Sequence, residues 1–86
     1  MTEKEAEQIL RAVPGYGWLL NDGRTLWTPT DLEQYLGVTS NTIRRWAEAG
    51  MIPGALDLGG AGFRIPRAGL MVFLASRIPG SQQKQA

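Results

Sequence analysis

Between Thr28 and Trp46 the chain reads TPTDLEQYLGVTSNTIRRW, two helix openings separated by a glycine. Thr28-Pro29-Thr30-Asp31 is a strong start signal. Thr28 suits the N-cap, Pro29 fits the first helical position where its missing N–H is no loss, and Asp31 reaches back as in a capping box. Leu32, Tyr35 and Leu36 continue as an apolar stripe. Gly37 supplies the left-handed residue that stops the helix. Thr39 then caps a second helix, whose apolar side is Ile43, Trp46 and Ala47. Two short helices hinged at Gly37-Val38-Thr39 make a helix-turn-helix, and Gly50 closes the second.

The rest of the chain fits around this pair. Residues 3–12 suit a helix, with Ala6, Ile9, Leu10 and Val13 at helical spacing, glutamates in the first turn and Arg11 in the last. Pro14-Gly15 ends it. Tyr16–Leu20 and Arg24–Trp27 flank Asn21-Asp22-Gly23, which predicts a small hairpin. After the paired helices, Met51-Ile52 is expected to fold back on the core. A second hairpin is predicted from Ala55–Leu58 and Gly62–Ile65 around Gly59-Gly60-Ala61, with Leu56, Leu58, Phe63 and Ile65 sharing one face. Pro66 opens a last helix, where Leu70, Phe73 and Leu74 have helical spacing, and Pro79-Gly80 ends it. The expected architecture is α+β and mainly α. It comprises an N-terminal helix and hairpin extension over residues 1–27, a winged helix-turn-helix with a three-helix core over 28–78, and a flexible tail over 79–86.

Composition narrows the chemistry. Eighty-six residues with 43% hydrophobic content and three tryptophans make one small domain with a real core. Without cysteine or histidine, the chain has no disulfide, and zinc lacks its usual ligands. Nucleophilic catalysis by a Ser/His or Cys/His arrangement is excluded, and the carboxylates are scattered, so no enzyme, metal or cofactor is expected. The Gly59–Gly62 run lacks the following Lys-Ser/Thr of a phosphate-cradling loop. No apolar run approaches the ~20 residues of a membrane span. The N-terminus is acidic where a signal peptide would be basic. These features predict a cytoplasmic protein of a bacterial cell or a phage-infected host.

Charge is unevenly distributed. Residues 1–36 carry three cations against six anions, and residues 37–86 carry six against two. Such asymmetry is expected of a protein that turns one face toward a polyanion, although scattered surface charge would look the same. On a helix over 40–49, the side opposite Ile43, Trp46 and Ala47 carries Asn41, Arg45 and Glu48, with Thr42 and Arg44 on the flanks. Arginine bonds guanine O6 and N7 in a bidentate manner, and asparagine does the same to adenine N6 and N7. Ser40 and Thr42 lie where side chains and free backbone amides contact phosphate. The competing reading is a solvated helix face with Glu48 paired to Arg44 or Arg45.

These segments resemble the helix-turn-helix domain of the excisionase and MerR-regulator superfamily, a winged-helix relative. The matching pieces are T-P-x-D, L-G-V-T, N-T-I-R-R-W, A-G-M-I-P, and F-R-I-P-R-A-G-L-M-V-F-L, in that order from Thr28 through Phe73. The resemblance implies a recognition helix that enters the major groove. In lambdoid excisionases the residue before the threonine of a similar T-V-R-R-W helix, and its second arginine, do the reading. These correspond to Asn41 and Arg45. The hairpin departs from the family pattern, because its tip, Gly59–Gly62, carries no charge. Gly60 amides are then expected on phosphate, with Arg64 as the nearest cation. Pairing Leu58 with Phe63 would set Asp57 opposite Arg64 and consume part of its charge. Arg67 is a further phosphate candidate or an exposed structural arginine.

The resemblance implies sequence-specific binding of double-stranded DNA by several cooperating copies, directing site-specific recombination with a partner integrase or recombinase, or regulating transcription. Two alternatives remain open on sequence grounds. One is the DNA-recognition subunit of a phage packaging machine. The other is a protein-interaction adaptor that has lost DNA binding, motivated by the acidic first third and the uncharged wing tip. Separately, Tyr16, Trp18 and Leu19 are a candidate exposed apolar patch for self-association or another protein.

Overall fold

The computed structural model describes residues 1–78, and the expected tail over 79–86 lies outside them. Five helices and a three-stranded antiparallel sheet occupy the described residues, an arrangement compatible with a winged helix-turn-helix. The first helix, α1 (Glu3–Arg11), opens on a capping box. Glu5 N donates to Thr2 Oγ1 at 3.1 Å, and Thr2 N donates to Glu5 Oε1 at 2.9 Å. Ala6 and Leu10 are its buried side, set against the last helix. Glu7 and Arg11 pair at 2.7 Å on its outer side.

The predicted first hairpin does not form. Gly17–Leu20 instead makes one helical turn (α2), which buries Leu19 completely. Its would-be partner is the strand β1 (Leu26–Trp27), which pairs with a strand about forty residues away in sequence, β3 (Phe63–Pro66). Trp27 lies opposite Ile65 there, and both are fully buried. Turn chemistry at Asn21-Asp22-Gly23 is therefore a reversal signal without a local strand partner. The candidate exposed patch of Tyr16, Trp18 and Leu19 is also absent. Leu19 is in the core, while Trp18 stacks on Tyr35 at 4.3 Å between ring centroids and meets Trp27 edge-on at 5.3 Å. The large apolar side chains left in solvent are Met1, Leu26, Tyr35, Leu56 and Leu58.

The helix pair follows the sequence closely. Helix α3 (Pro29–Leu36) starts on the Thr28–Asp31 capping box and stops at Gly37, which takes the left-handed conformation at φ 71°. Helix α4 (Ser40–Glu48) starts at Thr39, whose hydroxyl accepts from Thr42 N. Ile52 folds back into the core as expected and is 2% exposed.

The second hairpin forms from β2 (Leu56–Asp57) and β3, but in a register one residue away from the expected one. Leu56 lies opposite Arg64 and Asp57 opposite Phe63. A short 3₁₀ turn at Gly59–Ala61, closed by Leu58 N to Gly62 O at 2.9 Å, lengthens the loop. Asp57 Oδ1 accepts from Gly59 N at 2.9 Å and so belongs to that turn. Because side chains alternate along a strand, the slip changes which residues share a face. Phe63 and Ile65 are buried, whereas Leu56 and Leu58 stay outside.

Helix α5 (Arg67–Arg77) closes the structure and places Leu70, Met71, Phe73 and Leu74 in the core. Its approach to the Pro53 backbone is close enough that only a glycine fits at position 69. Arg67, at its first turn, donates through Nε to Leu19 O at 3.2 Å and through Nη2 to Leu20 O at 3.0 Å. Arg67 N also bonds Thr25 O at 2.8 Å. These three bonds tie α5 to the N-terminal segment.

Candidate nucleic-acid interface

Helix α4 is aimed by its buried side. Ile43 and Ala47 are in the core, and Trp46 is half-buried with its ring 5.1 Å from that of Phe73 on α5. At the other end, Ser40 N donates to Glu33 Oε2 on α3 at 2.7 Å, which locks the two helices across the turn. The opposite side is then exposed. Asn41, Arg44, Arg45 and Glu48 all stand in solvent, with Ser40 and Thr42 half-buried at the helix start.

The pairing of Glu48 with Arg44 or Arg45 that the competing reading requires is not made. Among the described residues the ion pairs are Glu7–Arg11, Asp31–Arg24 and Glu3–Arg67. Arg44 and Arg45 therefore keep their full positive charge, about one helical turn from Asn41. Arg44 is also the bridge to the hairpin. It lines an open hollow of about 300 Å³ together with Thr28, Thr30, Gly60, Gly62 and Arg64. A neighbouring hollow of about 410 Å³ brings Arg44 and Glu48 together with Asp57, Gly59 and Gly60.

Other expected contacts sit differently. Arg64 escapes Asp57, because the register sets it opposite Leu56, so its charge is not consumed by a carboxylate. Its Nη1 instead braces the hairpin, donating to Ala61 O at 2.9 Å and Phe63 O at 3.0 Å. Gly60 N makes no hydrogen bond among the described residues and is exposed, as a phosphate contact would require. Arg67 is not part of this surface. Its guanidinium is committed to the Leu19 and Leu20 carbonyls and lies 3.8 Å from Glu3. The start of α4 is also less open than expected. Ser40 N is taken by Glu33 and Thr42 N by Thr39, so the first turn offers fewer free amides to an anion.

Two residues that sequence reasoning does not single out for this surface, Thr28 and Thr30, also line the hollow beside Arg44. Both enter that reasoning only as helix-start residues. Nothing local marks them, because the hairpin that completes the hollow comes about thirty residues later.

The Asp31 carboxyl at the back of this region is held below the ordinary aspartate range. The main cause is the hydrogen bond from Thr28 N, with the adjacent Arg24 guanidinium adding to it. The charge thus stabilises the start of α3 and is taken up by partners within the protein. Among the described residues no cluster of carboxylates could hold a metal ion, and no helix is long and apolar enough to cross a membrane.

A comparison with protein families matches residues 28–78, which is more than half of the chain, to a family described as a helix-turn-helix domain. Searches of curated proteins and of solved structures give no match.

Proposed function

Because the chain belongs to this helix-turn-helix family, which points to DNA binding, we propose that it recognises a specific double-stranded sequence in the manner of a small excisionase. Helix α4 enters the major groove, with Asn41 and Arg45 on base edges. Arg44, Arg64 and the Gly60 amide hold the phosphates beside it, while Ser40 and Thr42 meet the backbone at the helix start. The observation that carries this reading is the pair of solvent-exposed, carboxylate-free arginines on one helix face. Those charges are available to a polyanion without first breaking an internal ion pair.

One such module covers few base pairs, so binding by several copies follows. The organised DNA would then serve a partner recombinase or set transcription of a nearby gene. The β2–β3 hairpin acts as the wing in this scheme. With its guanidinium braced on the hairpin and free of Asp57, Arg64 gives that wing more charge than the register read from sequence allows.

Selection of bound duplexes from a random pool, followed by a salt titration, tests the reading. A defined motif is expected, with affinity falling steeply as salt rises through counterion release. Arg45→Ala should lose about 1–3 kcal/mol of binding and relax preference at one base pair. Arg64→Ala should weaken all sequences alike. Absence of any selected motif, together with affinity indifferent to salt, would overturn the assignment.

A further inference from the structure

Glu48 stands apart from every other acidic residue. All eight carboxylates of the chain lie within the described residues. Seven of them are engaged. Glu3, Glu7 and Asp31 pair with arginines. Glu5, Asp22, Glu33 and Asp57 accept from backbone amides. Among the described residues the Glu48 carboxylate makes neither an ion pair nor a hydrogen bond, and the residue is exposed.

This isolation matters because two arginines are close in sequence. Arg44 and Arg45 precede it by four and three residues, the spacing at which helix side chains meet. The order is the weaker one, since an acid N-terminal to its cation pairs better than the reverse. Glu48 also occupies the reading side of α4. At ~100° per residue it falls between Asn41 and Arg44 around the helix. At ~1.5 Å per residue it lies about 4.5 Å beyond Arg45 along the axis and about 10.5 Å beyond Asn41. That span matches about three base-pair steps.

A carboxylate on a surface meant for DNA is repelled by every phosphate. The base edge that rewards it is a hydrogen-bond donor without a neighbouring acceptor, and in the major groove that is the cytosine N4 amino group. We propose that Glu48 is a specificity-determining residue. It accepts a hydrogen bond from the N4 amino group of a cytosine next to the base pair contacted by Arg45. The three side chains would then read three of four successive pairs, with Asn41 on adenine, Arg45 on guanine and Glu48 on the cytosine adjacent to the Arg45 pair. This inference rests on the DNA-binding reading above.

Binding selection from a random duplex pool, run on the full chain with wild type, Glu48→Ala and Glu48→Gln, tests it. Circular dichroism should show all three equally folded, because Glu48 has no internal partner to lose. The wild-type motif is expected to contain a cytosine at one fixed position. Glu48→Ala should lose about tenfold in preference at that position alone, and Glu48→Gln should move the preference there toward adenine. Identical motifs from all three proteins would overturn the role of Glu48 and leave DNA recognition standing. The role would fall in that case even if both variants bound every sequence more tightly through loss of a negative charge. No motif from the wild type would remove the DNA reading, and this inference with it.

Discussion

Substituting Gly69 by alanine pits a local preference against a tertiary contact. Gly69 is the third residue of α5, where alanine is better than glycine by about 0.8–1.0 kcal/mol in a helix. On propensity alone the variant should be more stable. A Cβ at this position, however, would overlap the Pro53 carbonyl oxygen and come within 2.8 Å of its carbonyl carbon. Ordinary carbon contacts lie at about 3.5–4.0 Å. Both atoms belong to the backbone, so no rotamer change relieves the clash. Either α5 or the 50–55 connection must move by about 1.5 Å to bring the oxygen to an ordinary contact. Overpacking costs about 1–3 kcal/mol, and a rigid obstacle places this case at the upper end. After the propensity gain, about 2 kcal/mol of net destabilisation remains. In a domain of this size each kcal/mol lowers Tm by about 4–8 °C, which gives a drop of about 8–16 °C. Thermal unfolding followed by circular dichroism reads it directly. Gly60→Ala is the control, since a Cβ there meets nothing within 4 Å and its backbone needs no special conformation. A Tm for Gly69→Ala at or above wild type would refute the packing argument.

Four further outcomes follow from the structure. Thr28→Ala removes the α3 N-cap and should cost about 1 kcal/mol in urea unfolding, and an unchanged midpoint would mean the cap contributes nothing. Arg67→Ala strands the Leu19 and Leu20 carbonyls and should lower stability by about 1–3 kcal/mol while leaving DNA affinity at room temperature unaltered. Arg44→Ala should show the opposite pattern, with affinity lost and stability kept, and equal affinity losses from both would put Arg67 back on the binding surface. Asp31 is depressed in the folded state by the Thr28 amide, so its contribution is complete above the unfolded aspartate value near pH ~4 and is lost as pH falls through the lower folded value. A urea midpoint measured from pH 6 down to pH 2 should therefore decline on the acid side, and less so in Asp31→Asn.

What can be read from the sequence is set by how local the determinants are. The Thr28–Asp31 box, the Gly37 stop and the Thr39 cap each act within four residues, and all three form as read. The outward set on α4 is equally legible, because a helix fixes its faces by residue spacing alone. The segment 16–27 is not. Its strand needs a partner on β3, and nothing between Tyr16 and Trp27 carries that information. Arg67 stays ambiguous in the sequence for a similar reason. An arginine at a helix start looks the same whether its partner is a phosphate or a carbonyl contributed by residues almost fifty positions earlier. In the second hairpin the positions of both strands are legible, but their register depends on a glycine turn stabilised by Asp57.

The pairing of Leu26–Trp27 with β3 has a consequence for where this protein can be cut. The family-matched unit begins at residue 28, one position after a strand that shares hydrogen bonds with the hairpin. A fragment that begins there would lose one of three strands and would open the space now filled by Ala6, Leu10, Leu19 and Trp27. The boundary of family likeness therefore falls inside a shared sheet and a shared core. The first twenty-seven residues are thus expected to brace the matched unit, and a graft that begins at residue 28 is expected to be less stable than one that carries them along.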